Sequence, residues 1–563
     1  MAGRQAIQHL LTDIYKTHGT VAFERICALL EGVKVRPSIS TERFSQSNVV
    51  LITYADSIRK NNQPPIRTLH AFAKAYLKES FSAIHFLPFF PYSSDDGFSV
   101  IDFLSIDPDL GCWDDVIACG ADFNLMFDYV LNHISAKSDW FERYLGGDKG
   151  FAQLALEVDP SSDLTMVTRP RALPLLTSFV KLSGEQVHLW TTFSADQVDL
   201  NYRSIETLCK MIEVLLFYVS KGACCIRMDA IAYLWKEIGT SCIHLPQTHA
   251  MVKLFRMILD EIAPDVLIIT ETNVPHAENI SYFGSGDDEA QMVYNFTLPP
   301  LLLHTFMSSD CRPLSRWAAA LKTPSENTTF FNFTASHDGI GVRPLEGILS
   351  PEKINGLAQQ AVTNGGQISY KQNADGSQSP YELNLTYIDA LAPRGKEGSA
   401  EHSARFLASQ AIQLALPGVP AIYIHSLLGS RNWNEGVAQT GRARSINREK
   451  LNYDAICTSL ENRDSFRARI FFSYCHLLKI RRAQPAFHPN ASTEVLLLDQ
   501  KIFSIIREAS EQTLFALTNV SNVAVTLSLK SHGAHRTLKD VLTDRDYSNN
   551  RIVVEPYETL WLV

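Results

Sequence analysis

Eight short runs of apolar and β-branched residues recur along this chain, and most are separated by stretches with helical periodicity. They are NVVLITY from Asn48, AIHFLPFF from Ala83, FNLMFDYVLNH from Phe123, GACCIRMDAIAY from Gly222, VLIITET from Val266, MVYNF from Met292, TFFNFTASH from Thr329 and PGVPAIYIH from Pro417. Near-continuous apolar runs, rather than alternating ones, are the pattern of strands buried on both faces of a parallel sheet. The intervening IETLCKMIEVLLFYVSK and HAMVKLFRMILDEI have the length and period of crossover helices. Eight parallel strands with helices between them predict an α/β fold, a (β/α)8 barrel.

Around that repeat the chain divides by pattern. Residues 1–46 read as a helical N-terminal extension, with Ile7, Leu10, Leu11 and Ile14, then Phe23, Ile26, Cys27 and Leu30, on one face. The barrel is expected over 47–490. Two connections are too long for a strand-to-helix turn: 134–190, an inserted subdomain after strand 3, and 339–400, a long loop or lid after strand 7. From 491 to 563 short alternating runs such as KIFSIIRE and QTLFALTNV predict an all-β C-terminal domain.

Composition excludes several classes. A net charge of -9 with no Lys/Arg-rich run argues against nucleic acid and against a polybasic membrane contact. MAGRQAIQHLLTDIYK lacks the core of a signal peptide, and no apolar run is long enough to span a bilayer, so a cytoplasmic location is expected. The ten cysteines form no C-x-x-C pair and no zinc spacing, which reads as reduced buried thiols and no metal.

Four acids close strand-like runs: Asp128, Asp229, Glu271 and Asp338. A single Asp at a strand end is usually a helix cap or a surface ion pair. Several at the C-terminal rim of one barrel suggest one site. Retaining cleavage of a glycosidic bond needs a carboxylate nucleophile and a carboxylic acid roughly 5 Å apart, which neighbouring strands can supply. Arg227 and Asp229 are two apart on one strand face, so Arg227 is expected to hold Asp229 ionised, though a structural salt bridge would look the same.

DYVLNH (128–133), GACCIRMDA (222–230), IITETN (268–273) and FTASHD (333–338) resemble the four ordered sequence regions of the alpha-amylase family of retaining glycosidases and transglycosidases. The resemblance implies Asp229 as nucleophile, Glu271 as acid/base and Asp338 as transition-state stabiliser, with His133 and His337 on sugar hydroxyls. FLPFFPYSSDDGFSVIDF, YLWKEIGTSC, YNFTLPPLLLH and RSINR are similar to the sucrose phosphorylase branch. In that branch Asp95 and Arg444 would close the glucose pocket, and Phe98 and Phe193 would line it. Arg171 and Tyr381 would seat phosphate. Asn273 stands where the sucrose enzymes carry a histidine. With HDGIGVRPLEGIL, the lid KQNADGSQSPYELN and the helical lead-in, it makes the chain look more like the members that act on glucosylglycerate. The expected activity is cofactor-free phosphorolysis of that glucoside. The alternatives are phosphorolysis of sucrose, sucrose 6'-phosphate or glucosylglycerol, exo-acting hydrolysis, or a non-catalytic barrel. The expected partners are a small glucoside and inorganic phosphate, in a monomer or homodimer. An anionic acceptor would want a cation beside its subsite, for which Arg431, Lys371 and Asn273 are candidates.

Overall fold

The computed structural model of the chain describes residues 2–36, 38, 42–170, 173–372, 377–509 and 511–563. Eight parallel strands close into a barrel: β1 (Val50–Thr53), β2 (Ala83–Phe86), β3 (Asn124–Tyr129), β4 (Ala223–Met228), β5 (Leu267–Thr270), β6 (Met292–Tyr294), β7 (Thr329–Phe333) and β8 (Val419–Tyr423). Each pairs with its neighbours in chain order, and β1 pairs with both β2 and β8. Every run anticipated as a strand supplies one. The register that matters most lies at β3–β4–β5, where Arg227 stands opposite Asp128 on one side and Ile269 on the other.

The N-terminal extension is helical only through Glu31, as α1 (Ala2–Tyr15) and α2 (Gly19–Glu31). The helical repeat ends with Leu30, and residues beyond Gly32 carry none. At Arg36 the backbone N–H donates to Ile262 O at 2.7 Å and the guanidinium reaches Ala223 O, tying the chain under the barrel near the start of β4. Gly19 lets the two helices meet closely, since a Cβ there would lie 2.5 Å from Thr12 Cα. Buried Ile7, Leu11, Ala22 and Ile26 join the main apolar core, against α3 (Ile205–Ser220) and α4 (Pro246–Ile262).

Neither long connection is structureless. The one after β3 holds a helix, Asp139–Leu145, and an antiparallel hairpin, Leu176–Val180 with Gln186–Trp190. The one after β7, expected as a loop, contains a helix, Pro351–Thr363, and a three-stranded sheet in the order Ile340–Gly341, Gln378–Asn384, Gln367–Gln372. The C-terminal sheet is an antiparallel meander, Ser492–Asp499, Ile502–Ala509 and Gln512–Asn519, closed by Thr559–Leu562. Its strands alternate between two apolar faces: Ile502, Ile506 and Leu517 pack in a core of their own, while Phe503, Ile505 and Trp561 join the barrel's.

Candidate active site

Arg227 on β4 is the centre of the site. Its guanidinium is buried, and a buried guanidinium is tolerable only when charge and hydrogen bonds compensate it. It donates to Asp128 and, at 2.7 Å, to Asp229 Oδ1; its other terminal nitrogen is 3.9 Å from Glu271 Oε2. Asp128 is held from behind by His85 Nε2 at 2.8 Å. Asp229 follows the last residue of β4 and Glu271 the last of β5, so the register of the two strands brings both carboxylates to one cation. Ala230 adopts a left-handed φ of 50°, and its N–H donates to Glu271 Oε2 at 3.1 Å. A strained non-glycine residue thus links the two acids.

Asp338 lies across from this cluster. Arg444 contacts it at 2.6 Å and Glu382 at 2.8 Å. Glu382 also accepts the N–H of Gly339 at 3.1 Å, and Arg448, which pairs with Asp96, donates to His337 O at 2.8 Å. His337 stacks on Phe98 at 4.8 Å between ring centres, with 8° between planes. His133 is held by its neighbours. Lys236 can only donate, so Asn132 turns its Oδ1 to Lys236 Nζ (2.8 Å) and its amide nitrogen to Asp199 and to His133 Nδ1. The His133 Nε2 lies 2.8 Å from Phe98 O and 3.1 Å from the Gln197 amide nitrogen, which ties the ring to both elements.

Burial sets the protonation states. It pushes Asp229 up to about 8 against the pull of Arg227, with the charges of Glu271 and Asp128 adding to the rise. Glu271 is raised too, by burial and by Asp338, again opposed by Arg227. The expectation that Arg227 alone keeps Asp229 ionised therefore changes. Three carboxylates surround one guanidinium, so burial and like charge raise the proton affinity of Asp229 and Glu271 together. Asp338 goes the other way: burial works against its charge, but the Arg444 and Arg448 guanidinium groups hold it well below the usual carboxylate range. His337 is pushed down to about 3 by burial and is neutral.

These groups line one cavity at the C-terminal rim of the barrel. Asp95 and Phe98 after β2, His133, Phe193, Arg227, Asp229, Glu271, Asn273, His337, Asp338, Tyr381 and Arg444, all anticipated above, line it, while Asp128 sits behind Arg227 and does not. Arg171 lies outside the described residues. Arg431 and Lys371 do not line the cavity; each is paired elsewhere, with Asp389 and with Glu346. Arg444 contacts Asp338 and Glu382, while Asp95 accepts from Gln197 at 3.3 Å. Glu382 and Gln197 also line the cavity and were not singled out from sequence. Their positions depend on how the two long connections fold back, which no local motif encodes. Among the described residues no cluster of His, Cys, Asp or Glu is arranged to hold a metal ion.

The profile of the alpha-amylase catalytic domain matches residues 74–339. The chain is 44% identical to a glucosylglycerate phosphorylase of Escherichia coli (strain K12), over 99% of this chain and 100% of that one. It is 47% identical to a glucosylglycerate phosphorylase of Allomeiothermus silvanus, over 100% of this chain and 98% of the relative. Among solved structures, a sucrose 6F-phosphate phosphorylase from Thermoanaerobacter thermosaccharolyticum superposes with a TM-score of 0.75 at 23% identity, covering 91% of this chain and 99% of the other. That likeness is one of fold. A closed barrel with its acids on the C-terminal rim and full-length identity to these enzymes lead to one placement: the chain belongs to the alpha-amylase family, in its branch of glucoside phosphorylases.

Proposed function

We propose that the chain catalyses the reversible phosphorolysis of 2-O-α-glucosylglycerate to α-glucose 1-phosphate and D-glycerate. The observation that carries this reading is the full-length identity of 44% and 47% to glucosylglycerate phosphorylases. The cavity geometry supports the chemistry. In the first step the Asp229 carboxylate attacks the anomeric carbon, the bond from that carbon to the glycerate oxygen breaks, and Glu271 gives its proton to that oxygen. A β-glucosyl ester of Asp229 results. In the second, the hydroxyl oxygen of a monoanionic phosphate attacks the same carbon, Asp229 leaves as carboxylate, and Glu271 takes the phosphate proton. Two inversions give retention.

The shared proton of Asp229 and Glu271 suits this cycle, which needs one ionised and one protonated carboxyl at the start. A neutral glucosyl unit entering beside Arg227 leaves Asp229 its direct 2.7 Å hydrogen bond, while the longer 3.9 Å approach leaves the proton to Glu271. Asp338, held ionised by Arg444, stabilises the positive charge that develops on the sugar ring. His133 and His337 bind its hydroxyls, Phe98 packs on its ring, and Asp95 with Arg444 limits the pocket to one glucose. Tyr381, with Arg171, seats phosphate, and the insert after β7 excludes water. All ten cysteines are free, which fits a cytoplasmic setting. The protein acts on small molecules as a monomer or homodimer.

The test is phosphate release from α-glucose 1-phosphate with D-glycerate, fructose, fructose 6-phosphate, glycerol or no acceptor. Release that depends on D-glycerate is expected. Release only with another acceptor replaces the substrate, and release equal to the water control in every tube contradicts phosphorylase chemistry.

A further inference from the structure

We infer that Arg343 receives the carboxylate of the acceptor and so sets the preference for an α-hydroxy acid over a neutral polyol; this rests on the proposed glycerate chemistry. The strand Ile340–Gly341 carries the chain from Asp338 along the strand that holds Tyr381 and Glu382, with Gly341 opposite Glu382 and the Val342 N–H on Tyr381 O at 3.0 Å. Gly341 is packed against the Asn273 amide so tightly that a Cβ there would lie 2.5 Å from its nitrogen. Arg343 comes next. Its charge acts on the Tyr233 hydroxyl, which also feels Tyr381 and Glu271. Tyr233 stands edge-on to Phe193 in the cavity wall, 5.6 Å between ring centres. Arg343 is thus placed just outside the pocket, at the end where the acid/base and Asn273 stand.

Among the described residues, the buried cations around the cavity are committed. Arg227 serves Asp128 and Asp229, Arg444 serves Asp338 and Glu382, and Arg448 serves Asp96 and a carbonyl. Lys236 is buried on Asp199 and Asn132. Arg343 differs. Among the described residues its one ion pair is with Glu278 at 3.9 Å, beyond hydrogen-bonding distance, and Glu278 lies nearer to His244, at 3.2 Å. The Arg343 side chain is 20% exposed. A planar fork with free donors beside the leaving group matches a carboxylate bidentately. The Asn273 Oδ1, buried without a protein partner, offers an acceptor for the terminal hydroxyl of the same molecule.

The experiment compares wild type, Arg343→Leu and Arg343→Lys in the synthetic direction, with D-glycerate and with glycerol as acceptor. Expected for Arg343→Leu is a rise of roughly 30-fold or more in the KM for D-glycerate, the size of a lost charged hydrogen bond. Turnover with glycerol and the KM for α-glucose 1-phosphate should stay within about 3-fold, and Arg343→Lys should recover part of the loss. A wild type that uses D-glycerate, with a leucine variant whose KM for it is unchanged, overturns this assignment alone. So does an equal loss with glycerate and glycerol, or a rise confined to α-glucose 1-phosphate, which would make Arg343 a phosphate or structural residue. A wild type inert towards D-glycerate overturns the parent reading and the assignment with it.

Discussion

Three carboxylates share the Arg227 guanidinium, and that ratio governs the chemistry of the site. Asp229→Asn removes the attacking oxygen without changing shape. Turnover should fall roughly 10⁴-fold or more, measured as phosphate release from α-glucose 1-phosphate and acceptor. Glu271→Gln should cost about 10²- to 10⁴-fold on substrates that need protonation of the leaving group. It should cost far less with α-glucosyl fluoride, which does not. The pH profile follows from the raised proton affinity of the pair. The shared proton is present below the pair's upper apparent pKa, which burial raises above the ordinary carboxylate range, and leaves as pH rises through it, so glucosylation should decline on that alkaline side. In Glu271→Gln, assayed with the fluoride, that decline should vanish; its persistence would mean that another group carries the proton. The three acids were legible because each ends a strand run. The protonation was not, since it depends on how deeply three chain segments bury one another.

At the scale of elements, the insert after β7 does more than cover the pocket. Its strand Gln378–Asn384 presents Glu382 to Arg444, and its partner strand sets Gly341 against Asn273. Glu382→Gln keeps the shape and removes the charge that shares Arg444 with Asp338. A loss of about 10- to 100-fold in kcat/KM is expected, the range for hydrogen bonds to charged groups. Gly341→Ala should raise acceptor KM by displacing Asn273, with little change in the KM for α-glucose 1-phosphate. The sequence marked this stretch by its length; its sheet, in which Gln367–Gln372 pairs with Gln378–Asn384, has no hydrophobic run to announce it. The α1–α2 hairpin, by contrast, was plain from its spacing. It packs on the helices flanking β4, and the Tyr15 hydroxyl donates to Tyr202 O at 2.7 Å while Tyr202 donates to Leu131 O, on the segment leading to His133. Leu11→Ala, at a fully buried position, should cost about 2–5 kcal/mol and lower the melting temperature while leaving both KM values unchanged.

Across the whole molecule, the barrel, two inserts, helical hairpin and C-terminal sheet form a continuous structure whose apolar core runs from Ile7 to Trp561. The barrel could be read from eight apolar runs because burial on both faces leaves a direct trace in residue type. The attachment of the C-terminal sheet could not: Arg507 reaches Ala415 O at 2.8 Å and His488 O at 2.6 Å, contacts that only the folded chain brings together. On the proposed function, this architecture passes one glucosyl unit from glycerate to phosphate and back through Asp229, with the anomeric configuration kept. Proton NMR of the products of 2-O-α-glucosylglycerate and inorganic phosphate tests that most directly. The account predicts α-glucose 1-phosphate and D-glycerate in equal amounts as the first products; β-glucose 1-phosphate, or free glucose in place of the phosphate ester, would contradict it.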